Sequence, residues 1–224
     1  MFEGRVVSLH RWPVKSMAGE SLDVLDLFEH GVPEDRRWAL TWRDGQILTG
    51  RVSPRLLAWA ARVNGHGVEV TDPDGRRWGW DDGLRRRLAE DLGREVQLVE
   101  DATLHLDLPD SVMVTFGASL EALGDCDLRR FRTNVHVDLG APPFAEAGWE
   151  GWTLQIGEAT LECLHPCKRC VVVTRDPDTQ VADADLLRHL HAERGSIFGI
   201  NTRPLNRATI RAGDPVRVLP RQTG

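Results

Sequence analysis

The sequence has no run approaching the roughly 20 apolar residues that a membrane-crossing helix requires. Its first residues, Met1 to Arg11, lack the basic-then-apolar layout of a secretion signal. Neither membrane insertion nor export is expected, and the chain reads as a soluble cytoplasmic protein. Positive charge is not in excess either: 28 Lys+Arg stand against 34 Asp+Glu in 224 residues, a formal net charge of −6. No general field draws in a phosphate backbone, which argues against nucleic acid as a partner. Cysteine is scarce, and three of the four fall between Cys163 and Cys170. Such bunching suits metal or redox chemistry in a reducing compartment better than a disulfide framework. Lysine is scarcer still. Only Lys15 and Lys168 interrupt a set of cations that is otherwise arginine, so both point charges call for inspection. The chain has no internal repeat, low-complexity tract or Ser/Gly/Pro linker, and Asn64-Gly65-His66-Gly67 lacks the third spaced glycine of a dinucleotide fingerprint.

What is present is a 41% hydrophobic content, enough to fill a core, arranged in short runs between turn signals. Arg5–His10, Leu22–Leu27, Trp38–Trp42, Val68–Thr71, Val96–Val99, Val112–Phe116, Val135–Val137, Thr153–Ile156, Thr160–Leu164, Val171–Thr174 and Val216–Leu219 read as strands. Asp44-Gly45, Asp72-Pro73-Asp74-Gly75 and Asp176-Pro177-Asp178-Thr179 are turn sequences that favour antiparallel neighbours. Helical spacing is confined to Asp82–Leu92, Ser119–Leu123 and Asp183–Glu193. The expected fold is mainly β: a barrel-rich or sandwich architecture with a few covering helices, in two β-rich lobes that share an interface. The segment Glu100–Pro109 is the expected boundary, which divides the chain into residues 1–99 and 100–224.

The sharpest local feature is Cys163-Leu164-His165-Pro166-Cys167-Lys168-Arg169-Cys170. A zinc site could recruit Cys163, His165, Cys167 and Cys170, although such sites usually draw their second ligand pair from farther away. A thioredoxin-type pair would stand at a helix N-terminus, where a β-branched run follows instead. A single thiolate could ligate a soft transition metal carried in a cofactor, with Lys168 and Arg169 favouring the thiolate. Plain burial is the fourth option, since cysteine is among the most buried residue types. Elsewhere, Lys15, Ser16 and Gly19 form a loop able to hold an anion. Arg36 and Arg37 precede the Trp38–Trp42 run, Arg51 follows Gly50, and Arg129, Arg130 and Arg132 precede Asn134. The planar amide of Asn134 suits a heterocycle edge, and Arg132 can fork onto a phosphate. An acidic chain with several cationic loops beside strands, plus a thiolate candidate, suggests one anionic cofactor held from several directions.

Eight co-linear stretches resemble the MOSC superfamily, in the arrangement where an N-terminal MOSC β-barrel domain (here 1–99) precedes the MOSC domain proper (100–224). They are Trp12-Pro13-Val14-Lys15-Ser16, Asp35-Arg36-Arg37-Trp38, Leu48-Thr49-Gly50-Arg51-Val52-Ser53-Pro54, Ala118-Ser119-Leu120, Phe131-Arg132-Thr133-Asn134, Pro166-Cys167-Lys168-Arg169-Cys170 through Asp176-Pro177-Asp178-Thr179, Phe198-Gly199 and Gly213-Asp214-Pro215-Val216. The resemblance implies a molybdenum cofactor, a pyranopterin dithiolene, with Cys170 as the protein ligand of the molybdenum and the catalytic residue. It also implies that Lys15, Ser16, Arg36, Arg51, Arg132 and Asn134 bind that cofactor. Pyridoxal phosphate binding is a further property associated with the domain type. The activity implied is reduction of N-hydroxylated compounds such as amidoximes and hydroxylamines, with electrons from a separate iron–sulfur or flavin protein. MOSC domains fused to sulfurases suggest a persulfide-carrying sulfur-transfer protein as the alternative, and a non-enzymatic cofactor carrier is a third reading. Thr133 stands where the family often has proline, Asn201 stands where the reductases can have an aromatic, and tyrosine is absent.

Overall fold

Apolar side chains recurring at every second residue need a closed sheet to bury one face without leaving edges. The computed structural model, which describes residues 1–100, 110–124 and 126–221, closes seven strands in that way. In chain order the strands begin with β1 (Phe2–Arg11), β2 (Glu20–Leu22), β3 (Val24–Leu27) and β4 (Trp38–Trp42). There follow β5 (Ala60–Asn64), β6 (Gly67–Thr71), β7 (Arg77–Gly79), helix α1 (Asp82–Leu92) and β8 (Val96–Glu100). The second half brings β9 (Val112–Phe116), α2 (Gly117–Glu121), β10 (Val135–Leu139), β11 (Thr153–Ile156) and β12 (Ala159–Lys168). Helix α3 (Ala184–Arg194), β13 (Ile197–Pro204), β14 (Ala208–Arg211) and β15 (Pro215–Leu219) complete the chain.

The barrel runs β10–β9–β13–β12–β11–β15–β1 and returns from β1 to β10, with β2 added beside β1. All barrel pairings are antiparallel except β9 with β10, where Val135 faces Val114 in parallel register. Its interior holds Val6, Leu9, Val114, Phe116, Val137, Leu154, Leu161 and Val218, each almost fully buried. A second core fills the smaller lobe, where the β4–β8 pair and the β5–β6–β7 meander pack with α1 around Trp38, Leu40, Trp59, Leu84 and Leu88. A third, small core of Phe131, Val173, Leu190 and Phe198 lies beneath α3. The mainly β architecture in two lobes is therefore the observed one. No helix of the described residues is long and apolar enough to cross a membrane.

In space the lobes do not follow one cut in the chain. Strand β1, from the first eleven residues, closes the barrel otherwise built from residues beyond 110. Of the expected boundary segment 100–109, residues 101–109 lie outside the described residues. Two local expectations change. Leu22–Leu27 is two strands that part at Asp23, one pairing with β1 and the other with β14. Val171–Thr174 is a one-turn 3-10 helix and not a strand. Its turn is fixed by hydrogen bonds that outweigh the β-branched propensity: the Thr174 hydroxyl donates to the Val171 carbonyl at 2.7 Å, and Arg130 donates to the carbonyls of Val173 and Thr174 at 3.3 and 3.0 Å.

Candidate functional site

Where the lobes meet they enclose a cavity of about 570 Å³. It gathers Lys15, Ser16, Arg36, Arg51, Arg132, Asn134 and Cys170, all seven residues that sequence reasoning singled out, from segments spread over most of the chain. Arg130, Lys168 and Arg169 also line it, which makes seven cationic side chains. Among the described residues, no aspartate or glutamate lines it. In a chain of net charge −6 this concentration of one sign creates a local positive field, strengthened by the low-dielectric walls.

The small-lobe side is set by backbone zipping. The Lys15 N–H donates to the Trp38 carbonyl at 2.8 Å, Trp38 N–H to Pro13 at 3.1 Å, and Arg36 N–H to Trp12 at 2.8 Å. Lys15, Ser16 and Arg36 are thereby brought onto one wall. Ser16 Oγ accepts the Gly50 N–H at 2.8 Å, tying in the loop that presents Arg51. A Cβ on Gly50 would lie 2.9 Å from a Leu57 methyl, so a larger residue there would displace that side chain. Arg51 itself is exposed at the rim and makes no ion pair with the described residues.

A pair of arginines stitches this wall to the barrel. Arg36 is salt-bridged to the buried Asp35, and its Nη2 donates to the Arg132 carbonyl at 2.9 Å. Arg132 in turn donates from Nη1 to the Met17 carbonyl at 2.7 Å and stacks its guanidinium over Trp12, 4.5 Å from the ring centroid. The Trp12 indole N–H reaches across to the Thr133 carbonyl at 2.8 Å. Ser16, Arg36 and Arg132 all adopt positive φ, at 72°, 52° and 53°. Left-handed backbone is uncommon outside glycine, and here three instances cluster on one cavity, as strained residues do at functional sites.

Asn134 differs from the expectation of a free planar edge. It is 1% exposed, its Oδ1 accepts the Met113 N–H at 3.1 Å, and its Nδ2 donates to the His10 carbonyl at 3.3 Å. Most of its amide therefore splices β9, β10 and β1 together, leaving one Nδ2 hydrogen for the cavity. Thr133, where the family often has proline, donates its hydroxyl to the Met113 or Val135 carbonyl at 3.0 Å, inside the barrel.

The cysteine run becomes irregular as it reaches the cavity, though β12 stays paired with β13 to Lys168. Cys163 pairs with Thr202, but the register with β13 then shifts twice, between Cys163 and Pro166 and between Pro166 and Lys168. Proline cannot donate to the ladder, and such irregularities re-aim side chains beside sites. Cys163 points into the barrel core at 1% exposure, and burial pushes its thiol up to about 12. It is a packing residue. Cys167 and Cys170 are half-buried and line the cavity. Among the described residues no three His, Cys, Asp or Glu side chains gather in a metal-holding group, so the four-ligand zinc arrangement is not formed. Cys170 is the N-cap of the 3-10 turn, in extended conformation, where a strand was expected to begin.

Arg169 is engaged with backbone carbonyls. Its Nε and Nη2 donate to the Phe198 carbonyl at 2.9 and 2.7 Å and its Nη1 to the Phe131 carbonyl at 2.9 Å, so it braces the loop while its charge stays near the cysteines. Arg130 pairs with Asp176 at 3.1 Å in addition to holding the 3-10 turn. Lys168 is exposed. Sequence reasoning quoted Arg130 only as part of a basic cluster and gave no role to Met113 or Thr49, which also line the cavity. Arg130 carried a signal in its charge; Met113 carried none.

Comparison with known proteins covers both halves of the chain. The profile of the MOSC N-terminal beta barrel domain matches residues 3–121, and that of the MOSC domain matches residues 104–217. The chain is 25% identical to mitochondrial amidoxime-reducing component 1 of Mus musculus over an alignment spanning 96% of this chain and 82% of that protein. It is likewise 25% identical to mitochondrial amidoxime reducing component 2 of Bos taurus, over 95% of this chain and 82% of that protein. A molybdenum cofactor sulfurase of Drosophila grimshawi is 26% identical over 96% of this chain, which spans 34% of that longer protein. Among solved structures, the YUAD protein from Bacillus subtilis superposes with a TM-score of 0.52 at 13% identity, covering 99% of this chain and 100% of that one, a likeness of fold alone.

Proposed function

This chain belongs to the MOSC family, and from that premise we propose that it is a molybdenum-cofactor-dependent oxidoreductase that reduces N-hydroxylated compounds such as amidoximes and hydroxylamines. The observation that carries the reading is the cavity itself: seven cations, no carboxylate among the described residues, and the half-buried Cys170 thiol on its wall. The relatives named for amidoxime reduction support the reaction class.

The residues present fit a phosphorylated pterin dithiolene that carries molybdenum. Lys15, Ser16 and Arg36 would hold its phosphate and pterin from the small lobe, Arg132 and the remaining amide hydrogen of Asn134 from the barrel, and Arg51 from the rim. Cys170 would ligate the metal, since a thiolate is the soft donor that such a centre takes. When bound, the cofactor supplies a two-electron metal centre able to remove oxygen from nitrogen. The chain's own contribution is placement. Arg36 and Arg132 each clasp a carbonyl of the opposing segment, so the two walls stay in register. Arg130 and Arg169 fix the 3-10 turn and the strand end on either side of Cys170. Fixed positive charge offsets the anion without reorganising as electrons arrive. Those electrons would come from a separate iron–sulfur or flavin protein.

A direct test supplies reduced viologen and benzamidoxime to protein made in a cofactor-competent host. Benzamidine formation is the expected outcome. Bound molybdenum with no reduction of any N-hydroxylated substrate would identify a carrier instead. The sulfurase relative favours a second reading, in which Cys170 bears a persulfide; a stable adduct of about 32 daltons, one sulfur atom, on Cys170 without molybdenum would select it.

A further inference from the structure

Reductive dehydroxylation consumes protons as well as electrons: R–C(NH2)=N–OH + 2 H⁺ + 2 e⁻ gives R–C(NH2)=NH + H2O. The leaving hydroxyl is poor unless it is protonated as the N–O bond breaks. Within the cavity few groups can do this. No aspartate or glutamate lines it among the described residues, the chain has no tyrosine, and guanidinium groups do not release protons. With Cys170 assigned to the metal, the lining side chains that carry a transferable proton are Lys15, Cys167, Lys168 and the imidazole of His165, and imidazole is the commonest general acid among them.

Its surroundings occupy one ring nitrogen and leave the other open. His165 Nδ1 lies 3.2 Å from the Pro166 carbonyl, which ties that side of the ring to the backbone. Asn201 flanks the ring, with Nδ2 3.4 Å from Nδ1 and 3.5 Å from the His165 carbonyl. Nε2 has no hydrogen-bond partner among the described residues, and the side chain is exposed. Nε2 is thus the ring nitrogen open to a ligand in the cavity among the described residues.

We propose that His165 is the proton donor to the leaving oxygen of the N-hydroxylated substrate, a role that rests on the reductase reading above. The imidazolium passes its Nε2 proton to the hydroxyl oxygen as the N–O bond breaks, and water departs. Two electrons, drawn from a reduced iron–sulfur or flavin protein, go to the N–O bond. A solvent proton completes the product N–H, and solvent reprotonates Nε2 through the exposed face of the ring.

The experiment uses cofactor-loaded parent, His165→Ala and His165→Gln proteins with reduced viologen and benzamidoxime, and molybdenum is measured in each. The expected result for His165→Ala is parental molybdenum, a KM within about threefold, and a kcat reduced about 100-fold that added imidazole partly restores. His165→Gln should lose the same kcat, since it retains hydrogen bonding but cannot donate a proton. Apart from turnover, oxidised loaded protein should be carbethoxylated at His165 by diethyl pyrocarbonate, and saturating benzamidoxime should protect that site. An unchanged kcat, a rate that falls only in step with molybdenum, a loss that imidazole does not restore, or a label that substrate does not block overturns the assignment while the reductase reading stands. A molybdenum-loaded parent that turns over nothing overturns the reductase reading, and the assignment with it.

Discussion

Individual residues carry more than their sequence neighbourhoods disclose. The pairing of a thiol with scattered cations was legible, because lysine is scarce and the cysteines are bunched, and Lys15, Arg36, Arg132 and Cys170 do share one cavity. The use of each side chain was not. Asn134 reads locally as a recognition amide but splices three strands, since a partner 21 residues away and another 124 away occupy it. The left-handed backbone of Ser16, Arg36 and Arg132 has no signature in residue type. Buried titration is likewise invisible in one dimension. His136, on β10, has its Nδ1 2.9 Å from the Thr115 hydroxyl, and burial, reinforced by the nearby His10, lowers it to about 4 against an upward pull from Asp138. Unfolded, the same imidazole protonates near 6.5. The folded form's advantage is therefore complete above about 6.5 and is lost as pH falls toward 4, on the order of 3 kcal/mol in all. His136→Asn keeps an acceptor for the Thr115 hydroxyl and cannot titrate, so its denaturant midpoint should fall less steeply than the parent's across that window. Equal slopes would contradict this.

At the scale of elements, alternation was a good guide where one face is buried, as in β11 and β15, continuous apolar runs served where both faces are buried, as in β4 and β9, and the two longer helices follow their leucine spacing to within a residue or two. It failed where other forces decide. β13 went unread because Gly199-Ile200-Asn201-Thr202-Arg203 mixes polar and apolar residues, yet the strand lies between β12 and β9. The chains approach closely there: a Cβ on Gly199, whose φ is +72°, would lie 2.6 Å from the Val114 carbonyl oxygen. β5, β7 and β14 are short and rich in polar or small residues, which leaves little period to detect. Val171–Thr174 carries strand propensity but forms a turn, because Arg130 and Thr174 capture its carbonyls. Arg130→Met should therefore lower stability by about 1–3 kcal/mol and reduce metal retention, since two carbonyls and Asp176 lose a charged donor. Unaltered thermal midpoint and molybdenum content in that variant would remove the turn from the account.

Across the whole molecule, the site exists only because distant segments are closed on one another. β1 completes the barrel, and the loop that follows it delivers Lys15 and Ser16 to a cavity whose opposite wall is more than 100 residues later. Fold class was readable because it depends on short apolar runs and turn residues summed over the chain. The contribution of the first eleven residues to the barrel was not, since strand pairing at a separation of some 130 residues leaves no local trace. The same convergence turns a net-acidic chain into a cationic pocket lined by the thiols of Cys167 and Cys170, and metal analysis tests the role of Cys170 most directly. Protein from a cofactor-competent host should hold about one molybdenum atom per chain, and Cys170→Ala should lose it while retaining its thermal midpoint. Molybdenum absent from the parent, or retained in full by Cys170→Ala, would contradict the assignment on which the account rests.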